Sequence, residues 1–298
     1  MALNAQHRKR LSEHADTVCS LAIRLIVAAS CVIVLLVFVY IAYEAFPFFQ
    51  AVSLSDFLGG TKWMPIDFGN GTSYGIANFI GATLMTSGLA VAFALLIAIG
   101  AALFLSCSAS TRLRQMIYPF IDMLAGVPSV IFGFIGLVVV VTFFINKGIA
   151  QSGCVLAASL VLAVMILPFL VTSMSESIVK VKKQCLPASQ ALGVDRWYAV
   201  AHSILPLSLK FFIPSIVMAF GRAMGETMAV LMIIGNANVA PTLLGKGESI
   251  ASLIALEMGG AVRGSMQYHA LFAAGFILMV LIFVIDIAMS RLLKKMQK

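Results

Sequence analysis

The chain has 298 residues, 61% of them hydrophobic and 11% charged, with 20 Lys and Arg against 12 Asp and Glu and a formal net charge of +8. Soluble globular chains run nearer half apolar and a quarter charged, so a water-soluble enzyme, a disordered segment and a small disulfide scaffold are excluded. Basic residues scattered between long apolar runs read as membrane orientation rather than nucleic-acid binding. The expected class is an all-α integral membrane protein with several spans.

Residues 1–20 are polar and carry Arg8, Lys9 and Arg10. The apolar run of 21–43 that follows is too long for a signal-peptide core and lacks a small-x-small cleavage site, so it reads as an uncleaved first transmembrane helix. A helix needs about 20 apolar residues to cross a bilayer core. Five further stretches meet that length: 79–105, 117–144, 154–175, 211–235 and 269–290. Gly126-Val127-Pro128-Ser129 interrupts the third and Pro168 the fourth, both tolerable where buried neighbours re-satisfy the backbone.

The basic residues divide sharply between the two sides of such a chain. Arg8, Lys9, Arg10, Arg24, Arg112, Arg114, Lys180, Lys182, Lys183, Arg196, Lys210, Arg291, Lys294, Lys295 and Lys298 fall on one side. Only Lys62, Lys147, Lys246 and Arg263 fall on the other, and Arg222 lies within a span. The positive-inside rule then places both termini in the cytoplasm. The organisation is a cytoplasmic segment 1–20, a first helix 21–43, an external loop 44–71, a transmembrane core 72–290 and a basic cytoplasmic tail 291–298. The external region holds Trp63, Asp67 and an Asn70-Gly71-Thr72 sequon, for which chance occurrence is the simplest account.

The internal segment 176–210 is too polar to cross a membrane and too patterned for a plain linker. Pro187 suits the first position of a short helix over Ala188–Leu192, and Gly193 suits its left-handed end. A second helical piece through Trp197 and Tyr198 leads on to Leu205-Pro206. Periodicity alone describes an interfacial helical hairpin.

Arg222 is expected near the middle of the fifth span, with Glu226 one turn on and on the same face. An arginine at a helix centre costs about 2.5–3.5 kcal/mol on insertion scales. Arg before Glu is also the weaker order for helix stability, so the pair is more than a helix stabiliser. It reads either as a structural ion pair or as the charged lining of a polar path, and the second reading is preferred. Gly221 and Gly225 form a GxxxG spacing beside the pair that permits close approach of another helix. Asp122 and Asp286 read as structural. The cysteines at 19, 31, 107, 154 and 185 and the histidines at 7, 14, 202 and 269 show no metal-ligand or disulfide spacing, and Met218, Met224, Met228 and Met232 read as packing. Gly245-Lys246-Gly247-Glu248 fails as a phosphate loop, because Gly247 follows the lysine and Ala240 stands where a glycine is required. Without that motif the chain binds no ATP by the usual machinery, and uphill transport must draw energy from a partner.

The spacing of Ala188, Ser189, Gly193, Leu205 and Pro206 resembles the cytoplasmic coupling loop of ABC-importer permeases, with Pro187 where that family has Glu. Gly221-Arg222-Ala223-Met224-Gly225-Glu226-Thr227-Met228-Ala229-Val230 resembles the fifth helix of phosphate-importer permeases. Leu124-Ala125-Gly126-Val127-Pro128-Ser129-Val130-Ile131-Phe132-Gly133 resembles their third-span segment. Together they look like the C-type membrane subunits of high-affinity phosphate ABC importers, over most of 72–290. The resemblance implies a type I ABC-importer permease fold of six transmembrane helices in a bacterial cytoplasmic (inner) membrane. It implies Arg222 and Glu226 in the substrate pathway, Pro187, Ala188, Ser189, Gly193, Leu205 and Pro206 at the ATPase coupling surface, and a helix break at Gly126, Pro128 and Ser129. It also implies the partners: a homologous A-type permease subunit, two ATP-binding subunits that use the ATP, and an external phosphate-binding protein delivering inorganic phosphate. The alternatives are a permease for another oxyanion (sulfate or molybdate), or a secondary transporter or channel working without an ATPase.

Overall fold

The computed structural model describes residues 2–67, 69 and 71–296, with side chains described between Cys19 and Arg291. Asn70 of the sequon and the side chains of Arg8, Lys9, Arg10, Lys294, Lys295 and Lys298 lie outside the described residues. The chain folds as helices α1 (Ala2–Ala51), α2 (Leu54–Gly59), α3 (Ala77–Leu103), α4 (Thr111–Ala125), α5 (Ser129–Ile135), α6 (Thr142–Asn146), α7 (Val155–Ala191), α8 (Arg196–Ala199), α9 (Leu205–Met224), α10 (Met228–Ile233), α11 (Ile250–Glu257) and α12 (Met266–Met296). One two-stranded antiparallel hairpin, β1 (Trp63–Met64) and β2 (Ser73–Tyr74), interrupts them. Wider π turns extend α3 through Ser108, join α5 to α6 over Gly136–Val141, and join α8 to α9 over Val200–Ile204.

Among the described residues six helical stretches are long and apolar enough to cross a membrane: Cys19–Ala51, Ala77–Ser108, Ser129–Asn146, Val155–Ala191, Arg196–Met224 and Met266–Arg291. Four of the expected boundaries need correction. The first helix does not stop at 43 but runs to Ala51, so the expected 44–71 loop begins as helix and then holds α2 and β1. The third span is not continuous over 117–144. α4 ends where Gly126 N–H closes on Asp122 O and Met123 O, and Pro128, with extended backbone, stands just ahead of α5. The spanning part is only Ser129–Asn146, about 27 Å at 1.5 Å per residue, and still enough for a bilayer core. α7 runs through Pro168 and Pro187 without a break, so the fourth span is not confined to 154–175 and Pro187 does not begin a separate helix. The fifth span does not reach 235, because α9 stops at Met224.

The centre of the molecule is α3 packed on α7, with α9 and α10 closing over them. α3 approaches closely because its buried face carries Ala90, Ala94, Ala98 and Ala102 at every fourth position, opposite Ala157, Ala158 and Ala163 of α7. A second cluster joins α1 to α12 and, towards the hairpin, stacks Phe48, Phe57, Tyr74, Trp63 and Phe79 edge to face. Trp63 donates its indole N–H to both carboxylate oxygens of Glu257 at 2.9 Å, which ties the hairpin to the end of α11.

Candidate functional site: a broken helix and an exposed helical tip

Arg222 and Glu226 do not lie on one continuous helix face. α9 ends at Met224, with Gly225 N–H bonded to Gly221 O at 3.2 Å, and α10 starts at Met228. Arg222 therefore occupies the last turn of α9, exposed, and among the described residues it forms no ion pair with Glu226. Glu226 stands in the gap, where its Oε1 accepts the Ala229 N–H at 3.2 Å at the start of α10. Each charge sits beside the helix end of opposite partial charge, the cation at a C-terminus and the carboxylate at an N-terminus. The GxxxG reading changes with it: a Cβ on Gly221 would meet Ile282 of α12 at 3.7 Å, whereas Gly225 is the residue at which α9 ends.

The break is held in place by α5. A Cβ on Gly133 would stand 2.9 Å from Met232 Sδ and 3.0 Å from Ala229 Cα, and one on Gly136 would collide with Ile233 and Val161. These two glycines let α10 lie against α5 at backbone distance. The third-span break sets up the same contact, because Gly126, Pro128 and Ser129 redirect the chain from the exposed α4 into α5. The loop between α10 and α11 is tied to the start of α7 by Val155 N–H to Gly245 O at 3.1 Å and Leu156 N–H to Leu243 O at 2.9 Å.

The tip expected to be cytoplasmic lies at the end of α7. Ala188 and Ser189 fall on its last turn, with Ser189 Oγ donating to Cys185 O at 3.0 Å, and Pro187 is exposed on the same helix. Gly193 has φ +72°, and Val194 N–H reaches back to Ser189 O at 3.0 Å, which reverses the chain. Asp195 then opens α8 by accepting the Trp197 N–H at 2.9 Å and the Tyr198 N–H at 3.4 Å. Leu192, Trp197 and Tyr198 stand exposed on this tip at 83%, 55% and 57%. Leu205 and Pro206 stand where the wide turns of Val200–Ile204 pass into α9.

Two residues counted in the sequence only as orienting charges turn out to brace this tip. Lys182 Nζ donates to Ser106 O at 2.7 Å and the Arg196 guanidinium donates to Cys107 O, so both cations bond carbonyls in the C-terminal extension of α3. Their positions beside the coupling motif were the only signal available. A second omission is the row Thr83, Thr86 and Ser87 on α3, visible as polar residues three and four apart in an apolar helix. With Glu226 and Ser249 it lines a narrow pocket. Asp122, expected inside a span, is exposed on α4 beside Arg114 and Tyr118, and among the described residues no cluster of His, Cys, Asp or Glu is placed to hold a metal.

Residues 94–298 match the family of binding-protein-dependent transport system inner membrane components. Similar curated proteins include a probable ABC transporter permease, YqgH, of Bacillus subtilis, 32% identical over 78% of this chain and 76% of its own length. The phosphate transport system permease PstC of Xylella fastidiosa is 34% identical over 84% of this chain and 82% of its own, and that of Haemophilus influenzae 33% identical over 81% and 82%. Among solved structures, a chain of the inward-facing MetNI methionine ABC transporter superposes with TM-score 0.58 at 16% identity, over 74% of this chain and 95% of that one. A chain of a bacterial ABC transporter that imports the acidic polysaccharide alginate does so with TM-score 0.55 at 17% identity, over 74% and 80%. These structures share the fold. The chain belongs to the inner-membrane components of binding-protein-dependent transport systems: it is the non-catalytic, multi-pass permease subunit of an ABC importer, and works with an ATPase and a binding protein.

Proposed function

We propose that this permease passes inorganic phosphate into the cell, as one half of a path completed by a homologous A-type subunit, with two ATP-binding subunits supplying the energy. The observation that carries the reading is the exposed guanidinium of Arg222 at the broken end of α9, without an ion-pair partner among the described residues, while Glu226 is bonded to the start of α10. Phosphate brings one to two negative charges and several acceptor oxygens, and a guanidinium can hold two of those oxygens in a fork that an ammonium cannot reproduce. Relatives named as phosphate transport permeases at 33–34% identity support the same substrate. The exposed apolar tip around Leu192, Trp197 and Tyr198, on the helix that carries Pro187, Ala188 and Ser189, suits docking on an ATPase. The strongly one-sided distribution of basic residues supports cytoplasmic termini.

The test is labelled-phosphate uptake by the reconstituted complex. Arg222→Lys keeps the charge in the last turn of α9 but forfeits one charge-assisted hydrogen bond, worth about 1.5–3 kcal/mol. Uptake should fall about 10- to 100-fold with assembly intact. Uptake at the parental rate would exclude bidentate recognition, and sulfate in place of phosphate as the carried ion would replace the substrate.

A further inference from the structure

The pocket beside Glu226 is lined by hydroxyls, and three of the four are already committed. Thr83 Oγ1 donates to Phe79 O at 2.7 Å and accepts the Ile250 N–H at 3.0 Å. Ser87 Oγ donates to Thr83 O at 2.7 Å. Ser249 Oγ shares a hydrogen bond with Ser252 Oγ at 2.8 Å and accepts the Ser252 N–H at 3.1 Å. Thr86 is different: it is 2% exposed, and its Oγ1 has no hydrogen-bond partner among the described residues. Thr83 and Ser87, beside it on the same helix, bond the carbonyl four residues back, as hydroxyls in apolar helices do. Thr86 forgoes that bond and lines the pocket with its donor unspent. A buried hydroxyl without a partner destabilises the fold and needs an explanation.

We propose that Thr86 is a substrate-contacting residue of the oxyanion path, closed in this state, and that its hydroxyl donates to the passing ion once α10 moves away from α3. The proposal rests on the phosphate-path reading of Arg222 and Glu226 and adds the facing wall. A neutral hydroxyl suits that wall, since it offers an anion a hydrogen bond without the charge that would hold it there. Opposite α3 the lining is Ala223 and Met224 at the end of α9, Glu226 in the gap, and Val230 of the six-residue α10, so the wall is divided by the break and can widen there.

The test uses the full complex in proteoliposomes, with labelled phosphate and labelled sulfate as probes. Thr86→Val keeps the shape and removes the donor. It should lower uptake at least tenfold while the melting temperature stays equal or rises, and Thr86→Ser should restore most of the rate. A hydroxyl with only a structural role would leave uptake unchanged in Thr86→Val. Uptake at the parental rate in that variant overturns the proposal. If the parental complex carries sulfate and not phosphate, the phosphate reading fails, and the Thr86 comparison is read on sulfate. Should Thr86→Val not assemble, Thr86→Cys in a chain with its native cysteines replaced by serine decides the matter. Labelling by a small hydrophilic thiol reagent that speeds up during ATP turnover supports the proposal; no labelling, or labelling indifferent to turnover, overturns it.

Discussion

Substituting Gly133 by alanine tests whether the α5–α10 contact sets the position of Glu226. The added Cβ would lie 3.0 Å from Ala229 Cα and 2.9 Å from Met232 Sδ, against an ordinary carbon contact of about 3.5–4.0 Å. The thioether can swing aside, but the Ala229 backbone cannot, so α10 must retreat by about half an ångström. Overpacking of this kind costs about 1–3 kcal/mol. Ala229 is also the residue whose N–H holds Glu226 Oε1, so the retreat carries the carboxylate with it. Misplacement of a functional group by about 1 Å can cost about 100-fold in rate, and half of that displacement should give about tenfold. Gly100→Ala is the control, because a Cβ there meets nothing within 4 Å on an exposed face of α3. In the helix interior it should be neutral or stabilising by up to about 1 kcal/mol. The assays are phosphate uptake and thermal unfolding of the purified complex. Equal uptake and equal melting temperatures for the two variants would show that α10 is not positioned by Gly133.

Two other perturbations probe separate ends of the molecule. Gly193→Arg should insert and fold around α3 and α7 but lose uptake and ATPase co-purification together. Gly193→Asn, which tolerates the +72° φ, should keep both, and the two losses appearing apart would move the coupling surface elsewhere. Burial, reinforced by the Glu257 carboxylate, pushes Glu248 up to about 7 from an ordinary 4.5. A carboxyl raised in the folded state favours the neutral form there, so stability falls as pH rises through this window. The cost is at most about 3 kcal/mol above pH 7 and less after solvent screening. Glu248→Gln should therefore raise the melting temperature at pH 8 and not at pH 5, and an equal shift at both would exclude the effect.

Span number was legible because apolar length is a one-dimensional property, readable in runs such as 79–105. Where the helices end was not. Gly126-Val127-Pro128-Ser129 announces its break through two residues that disrupt helix locally. The break after Met224 is marked only by Gly225 and the polar Glu226-Thr227, and the apolar run resumes at once over Met228–Ile233, so the stretch reads as one span. What stops α9 is tertiary: α10 is drawn onto α5 by Gly133 and Gly136, residues remote in sequence. Pro187 misled in the opposite direction. Proline at a helix start and proline on the exposed face of a long helix look alike in sequence, and only the continuity of α7 separates them. The bonds from Lys182 and Arg196 to α3 were hidden for the same reason, since orientation already accounts for a lysine or arginine on the cytoplasmic side.

The break after Met224 changes how an intramembrane charge can be both tolerated and useful. On a continuous helix, Arg222 and Glu226 would sit four residues apart in the less favourable order and would neutralise each other at close range. An anion would then have to separate the pair before it could reach the guanidinium. At the break, the C-terminal end of α9 stabilises the cation and the N-terminal end of α10 stabilises the carboxylate, each by about 0.3–1 kcal/mol, rising to about 2 where partly buried. That offsets part of the cost of carrying a charge in an apolar segment, and among the described residues leaves the guanidinium without an ion-pair partner. Stabilisation by a helix end is weaker than a close ion pair, and on the proposed phosphate path that weakness is useful: an arriving oxyanion would take the guanidinium without displacing a tight partner. On the proposed phosphate path, Glu226, fixed through Ala229, would limit how long the ion remains. Closing the break, by any change that lets α9 run on through Gly225, should leave both charges in the chain and still abolish uptake.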